Sequence, residues 1–451
     1  MNALERRASA GLAGIYAFRM LGLFLILPVF ALYAEHLPGA TPVLVGLAIG
    51  VYGLTQALLQ IPFGMLSDRL GRKPVILAGL LLFALGSVIA ALADDVVWVI
   101  VGRAVQGAGA VSAAIMALAA DLTRESQRTK AMAAIGMTIG FSFMLALLIG
   151  PALDAWVGVS GIFWLTAGMA VCGMGILLVV VPTPRLERVH HDAEPVPEIL
   201  RNVVRDGQLL RLDWGIFSLH LVLTALFLVY PLVLRDAGLP PSDHHWLYLP
   251  VLVGSLVFMV PLIILAERGG RMRGVFLVAI AMLGLAQVGM YVVGPQLWLL
   301  GFLLCAFFTA TNLLEAMLPA MVSRVAPAGA KGSAMGVYST SQFTGAFCGG
   351  LLGGWLHQAL GIGAVFLGTA AVTLLWFLMA MSMRTPRSLS NELRSLGDAR
   401  GQDAGELTRR LLGVAGVAEV MVVPEEDVAY LKVDTKQLDR CALDAILAPG
   451  A

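Results

Sequence analysis

Residues 64–73 read Gly64-Met-Leu-Ser-Asp68-Arg69-Leu-Gly71-Arg72-Lys73, and residues 265–273 read Leu265-Ala-Glu267-Arg268-Gly-Gly270-Arg271-Met-Arg273. Each is a short charged stretch between two long apolar runs. A shift of 199 residues lays acid on acid, Arg69 on Arg268, Gly71 on Gly270 and Arg72 on Arg271. The same shift lays Gly150-Pro151 on Gly349-Gly350. A basic, glycine-containing loop between membrane helices is common by itself. One offset shared by two separate features is not, and it implies a duplicated unit about half the chain long.

The surroundings of these loops set the class. Of 451 residues, 59% are hydrophobic and only 13% charged, with a mean hydropathy of +0.85. Soluble domains carry about 25% charged residues, so the partner of this surface is the lipid bilayer. A bilayer core takes about 20 helical residues. Suitable runs lie at 9–33, 44–66, 74–93, 97–121, 130–154, 160–181, 212–234, 246–266, 274–293, 297–322, 333–357 and 361–383. The eighth holds Pro250 and Pro261, which membrane helices tolerate where neighbours satisfy the freed backbone groups. The first run follows a short basic segment, is too long for a signal-peptide core and precedes no small-residue cleavage site, so it reads as a retained span. The expected fold is an all-α polytopic membrane protein with twelve transmembrane helices.

Charge sets orientation and boundaries. Alternate connections hold Arg69, Arg72 and Lys73; Arg124, Arg128 and Lys130; Arg185 through Arg211; Arg268, Arg271 and Arg273; and Arg324 and Lys331. The others hold Glu35, Asp94, Asp95 and Asp154, with Arg235 as their basic residue. The positive-inside rule then puts both termini in the cytoplasm. The expected organisation is a six-helix bundle over 1–181, a linker over 182–211 with four prolines, a second bundle over 212–384, a polar linker over 385–402 and a small domain over 403–451. Cys172, Cys305, Cys348 and Cys441 lie far apart, without metal-ligand or disulfide spacing. No HExxH, GxSxG or P-loop is present, and the loop cations form no nucleic-acid-binding pattern. Neither an enzyme, a cofactor, a metal nor a nucleic-acid partner is expected.

The stretch 64–73 resembles the signature loop between helices 2 and 3 of the major facilitator superfamily, G-x-L-x-D-R-x-G-R-K/R. Arg103-Ala-Val-Gln106-Gly107-Ala-Gly109 resembles its helix-4 signature, R-x-x-Q-G-x-G. The resemblance spans roughly residues 9–384. It implies a secondary transporter built of two pseudo-symmetric six-helix bundles, with its substrate site near the midplane between them. Tyr52-Gly-Leu-Thr-Gln56-Ala, Asp121-Leu-Thr-Arg124-Glu125 and Met335-Gly-Val-Tyr-Ser-Thr-Ser-Gln342-Phe are similar to bacterial inner-membrane members classed with the drug:proton antiporters. That likeness implies a monomer exporting a small molecule in exchange for protons. One departure weakens it: the antiporter helix-5 signature ends G-P-x-x-G-G, whereas Asp154-Ala155 follow Gly150-Pro151 here. A facilitator or importer of a polar or anionic metabolite is the alternative. A membrane-embedded ligand sensor is a further one, although it would not need the helix 2–3 signature.

The resemblance also suggests roles. Gly64 would admit helix 11 closely, and Asp68 would face the partly positive N-terminus of that helix. Arg72 would pair with Asp121. Together Gly64, Asp68, Arg69, Gly71, Arg72 and Asp121 would form a latch closing the cytoplasmic face; the bland alternative is a topology anchor. Gly345, Gly349 and Gly353, with Gly350 and Gly354 beside them, suit close helix packing, as do Gly150 and Pro151. In the family, helices 1, 4, 7 and 10 line the cavity, and the sequence puts Arg19, Arg103, His220 and Glu315 inside these four. Ionisable groups there are costly and usually functional. Arg19 could instead snorkel, Arg103 could be a structural hydrogen-bond node, and His220 a satisfied core residue. Helix 1 carries no acid between Ala8 and Ala34, so proton coupling would fall to Glu315, His220 or Asp121.

Beyond Arg384 the chain turns polar. A helix over Glu406–Gly413, strands over Val417–Val423 and Val428–Val433, and a helix over Lys436–Leu447 give α-β-β-α, part of a ferredoxin-like unit. No leading strand is visible in 385–402, and no room remains for a final one. Without a CxxC it should hold no metal. Docking on the cytoplasmic loops, regulation and assembly are its possible roles.

Overall fold

A computed structural model of the chain describes residues 1–183, 197–268, 271–383, 389–397, 399, 402–424, 427–434 and 437–447. Gly270 and much of the central and tail linkers lie outside these residues.

The first crossing is broken. Helix α1 (Ala3–Phe24) stops before Pro28 and α2 (Phe30–Ala34) resumes after it. Proline donates no backbone hydrogen bond and its ring crowds the preceding turn. Gly150 sits against this break: a Cβ there would lie 2.9 Å from Pro28 Cγ and 3.0 Å from the Leu25 carbonyl oxygen. Helices α3 (Pro42–Leu70) and α4 (Arg72–Ala91) are separated only by Gly71, at φ 94°. L-residues rarely adopt that conformation, which accounts for glycine in the turn. The fourth crossing is α5 (Val96–Ala108) plus α6 (Ser112–Asp121). Helix α7 (Glu125–Val179) makes two crossings, with a break at Gly158, φ 67°.

After the short α8 (Pro197–Val203), the second half contains α9 (Gly207–Asp236), α10 (His244–Arg268), α11 (Met272–Val293), α12 (Leu297–Val325), α13 (Lys331–Leu360) and α14 (Ile362–Met381). Among the described residues, nine stretches are long and apolar enough to cross a bilayer, and Lys130–Val179 does so twice. The other two crossings are the broken α1–α2 and the glycine-rich α13. This gives twelve transmembrane helices, and at the shift of 199 the pair α3–α4 falls on α10–α11. Pro250 and Pro261 both lie within the continuous α10. The bundle end bearing Gly71 and Lys331 is called the basic face below, and the opposite end the far face.

Small residues set how the bundles meet. Gly345, Gly349 and Gly353 lie against Phe217, Leu221 and Ala225 of α9, within the second half. Gly350 and Gly354 lie against Gly46 and Pro42 of α3, in the first half. The glycine stripe thus serves two partners. Van der Waals contact at this range is what drives helix association in lipid.

The tail corrects the sequence reading. Ser390–Ser395 form a strand, β1, within the stretch read as linker. It is followed by α15 (Ala404–Leu412), β2 (Val417–Val423), β3 (Val428–Val433) and α16 (Arg440–Leu447). The sheet is antiparallel in the order β1-β3-β2, with Leu393 opposite Tyr430. Strand β1 has one apolar residue in six, so alternation could not reveal it; pairing with the apolar β3 creates it. Leu407, Leu411, Leu431, Val433, Leu443 and Leu447 fill the core between sheet and helices.

Candidate functional site

The helix 2–3 loop is organised around Arg72, whose side chain is 1% exposed. Its Nη1 donates to Asp68 Oδ1 and to Ser67 Oγ, the latter at 2.9 Å. Its Nε donates to Asp121 Oδ2 at 3.3 Å. The expected Arg72–Asp121 pair is present, and Asp121 is equally buried. Asp68 turns to Arg72 on its own loop. Gly64 approaches Ala113 of α6, where a Cβ would lie at 3.2 Å, and not the expected α13. Arg69 is exposed on the basic face. Nearby, Glu5 of α1 accepts from Arg124 Nε at 2.8 Å and from the Arg124 backbone N–H at 3.1 Å. The Arg124 guanidinium holds the Glu5 carboxyl down at about 2, from an ordinary 4.5.

Arg19 and Arg103 are both enclosed, each 1% exposed. Arg19 donates to Ser112 Oγ and Tyr52 OH, both at 2.9 Å, and to Gln56 Oε1 at 2.5 Å. Arg103 donates to Gln106 Oε1 at 2.9 Å and lies 5.1 Å above the Tyr52 ring. Gln106 in turn donates to Ser87 Oγ at 2.7 Å. Gly107 lies on the Tyr52 backbone and Gly109 on the Gly79 backbone. The helix-4 signature is therefore a packing and hydrogen-bonding unit, and Tyr52 joins it to Arg19. Among the described residues neither arginine has a carboxylate partner.

His220 and Glu315 do come together. His220 Nε2 lies 3.2 Å from Glu315 Oε1, with the side chains 16% and 37% exposed. Gln342 Nε2 lies 2.8 Å from the same ring nitrogen. His220 Nδ1 lies 3.3 Å from the Ile216 carbonyl oxygen. A carbonyl only accepts, so this contact needs an Nδ1–H, which leaves Nε2 turned toward Glu315 and Gln342. The Tyr52 and Phe343 rings, 6.4 Å apart, bring the arginine group of the first half beside this group of the second.

The halves are tied together toward the far face. Besides the glycine contacts, Phe143 meets Phe227 and Phe308, each at 6.0 Å between ring centroids. Arg235 bonds Glu35 across the two halves.

The family model of the Major Facilitator Superfamily matches residues 12–240 and again 212–415. The chain belongs to the major facilitator superfamily. A second family model, the YajR YAM domain, matches residues 398–448 of this transporter. It is 42% identical to the inner membrane transport protein YajR of Escherichia coli, over 98% of this chain and 97% of that one. It is 26% identical to the multidrug resistance protein MdtH of Yersinia enterocolitica, over 75% of this chain and 84% of that one. A solved bacterial homologue of the human lysosomal transporter Spinster, in an inward-facing and occupied conformation, matches with a TM-score of 0.69 at 14% identity, covering 84% of this chain and 97% of that one.

Sequence reading missed Tyr52, Gln56, Ser112 and Gln342 as site residues. Tyr52, Gln56 and Gln342 lie within stretches it had matched to the family. Ser112 carried no signal, because a lone serine in an apolar helix is ordinary.

Proposed function

We propose that the transporter exports a small molecule across a bacterial inner membrane in exchange for protons, with the basic face and both termini in the cytoplasm. The observation that carries this reading is Glu315, a carboxylate within a membrane-spanning helix whose side chain stays 37% exposed, with an imidazole at 3.2 Å. A neutral Glu315 acid donates to His220 Nε2; once the proton has moved, an imidazolium donates to a carboxylate. The two forms differ by one proton position and neither carries net charge, which suits a carrier that must reset in lipid. The far-face contacts support an inward-facing state. Asp68 turned onto Arg72, with Gly64 away from α13, is the arrangement expected of an open cytoplasmic latch. The names of its relatives, an inner membrane transport protein and a multidrug resistance protein, support the location and direction.

A second reading, carriage of an anion, rests on Arg19 and Arg103, two buried cations with neutral partners. Proton movement in inverted membrane vesicles separates the two. Vesicles carrying wild type or Glu315→Gln are followed with a pH-sensitive dye while organic cations, anions and neutral compounds are added in turn. Compound-dependent proton release in wild type, falling at least ten-fold in Glu315→Gln, is expected. Full release in Glu315→Gln, or none for any compound in folded wild type, overturns proton exchange at this residue.

A further inference from the structure

Two polar groups beside the His220–Glu315 pair have no use in the scheme above. Asp213 is 5% exposed and Tyr338 is 4% exposed. Among the described residues, Asp213 Oδ2 and the Tyr338 hydroxyl are both buried without a hydrogen-bond partner. Leaving a carboxylate oxygen buried without a donor is costly, and such a group asks for a role.

Their placement is specific. Asp213 and His220 lie seven residues apart on α9, so they share a face about 10 Å apart along the axis, with Asp213 nearer the basic face. Tyr338 and Gln342 lie four apart on α13 and also share a face, and Gln342 already touches His220. Helices α9 and α13 run parallel, with Gly345 on Phe217 and Gly349 on Leu221. That register puts Tyr338 about one turn closer to the basic face than Asp213. Other elements packed on α9 add little: α14 has no ionisable residue, and Arg211, Arg324 and Lys331 stand toward the basic end of α9, α12 and α13.

We propose that Asp213 and Tyr338 form a second proton-exchange site, through which the proton on Glu315 leaves for the cytoplasm. The inference rests on Glu315 carrying the proton. Neither carboxyl bonds the Tyr338 hydroxyl in this arrangement; as that side chain turns to bridge them, Glu315 gives its proton to the Tyr338 oxygen while Tyr338 passes its own to the Asp213 carboxylate. Asp213, now a neutral acid, then loses it to cytoplasmic water. One proton moves, only O–H bonds break and form, and Tyr338 ends unchanged.

No substrate is needed to test this. Infrared difference spectra of the purified full chain, recorded between acid and alkaline pH, report each carboxyl as the C=O stretch of its protonated form. Loss of one titrating band in Asp213→Asn, a shift of that band in Tyr338→Phe and its retention at altered frequency in Asp213→Glu are expected. The Asp213→Glu variant keeps the test open should the asparagine variant misfold. An unchanged spectrum in Asp213→Asn, beside a lost band in Glu315→Gln, overturns this second site and leaves Glu315 as carrier. Unchanged spectra in both variants overturn the Glu315 reading as well.

Discussion

Single residues show how differently charges are treated in this bundle. Glu5 is a fixed charge: Arg124 grips it from side chain and backbone together. Its folded value of about 2 lies below the ordinary 4.5, so its contribution is complete above pH 4.5 and is lost as pH falls through about 2. In thermal melts across that window, wild type should lose stability relative to Glu5→Gln, and the two curves should converge at the acid end. Parallel curves at all pH values would show that the Arg124 grip does not matter. Glu315 has His220 opposite it and remains partly open. Both His220 and Glu315 were legible in the sequence, because an ionisable residue inside an apolar run is conspicuous. Asp213 was not, because it sits near the start of its run, where a charge reads as a boundary. Nor were Gln342 and Tyr52, whose importance comes from partners on other helices.

At the level of elements, the number of crossings was legible because the bilayer fixes a length near 20 residues. The break after Phe24 has a visible cause in Pro28. The break between α5 and α6 has none as plain; Gly109 bends there because Gly79 of α4 approaches its backbone, a contact between residues far apart in sequence. The glycine stripe of α13 was legible as a packing surface, but not its division between α9 and α3. Only the α3 side joins the two halves, so the two sides should respond differently to bulk. A Cβ at Gly350 already meets the Gly46 backbone, and Gly350→Leu would drive the far-face ends apart. Overpacking costs about 1–3 kcal/mol, enough to shift a two-state equilibrium about 5- to 150-fold. Cysteine cross-linking between α3 and α13 should fall at the far face and rise at the basic face. Equal yields at both faces in wild type and variant would mean that this contact does not govern which end is closed.

Across the whole molecule, the tail is held by its sheet face. Glu419, Met421, Val423, Val428, Tyr430 and Lys432 share the face turned away from the tail's own helices, and Ala328 and Gly329 of the α12–α13 connection lie on it. Lys432, 2% exposed, donates from Nζ to the carbonyl oxygens of Arg324 at 2.8 Å and Val325 at 3.2 Å, the last of α12. Glu419 accepts from the Ala328 N–H at 3.0 Å, and Ala328 packs with Val423, Val428 and Tyr430. A cation at a helix C-terminus is worth about 0.3–1 kcal/mol, up to ~2 when partly buried. Removing it also strands two acceptors, at about 1–3 kcal/mol in all. Among the described residues these contacts fall on the second half, and the tail is expected to stay with that half. Lys432→Met should therefore release the tail without unfolding it. A disulfide between Gly329→Cys and Met421→Cys, whose positions touch, should form in an otherwise wild-type background and drop about 5- to 100-fold in rate with Lys432→Met. The tail's circular dichroism and the melting of the bundle should stay unchanged. Undiminished cross-linking would show that the apolar patch alone holds the tail, whereas loss of tail structure would make Lys432 part of its folding and not of its docking.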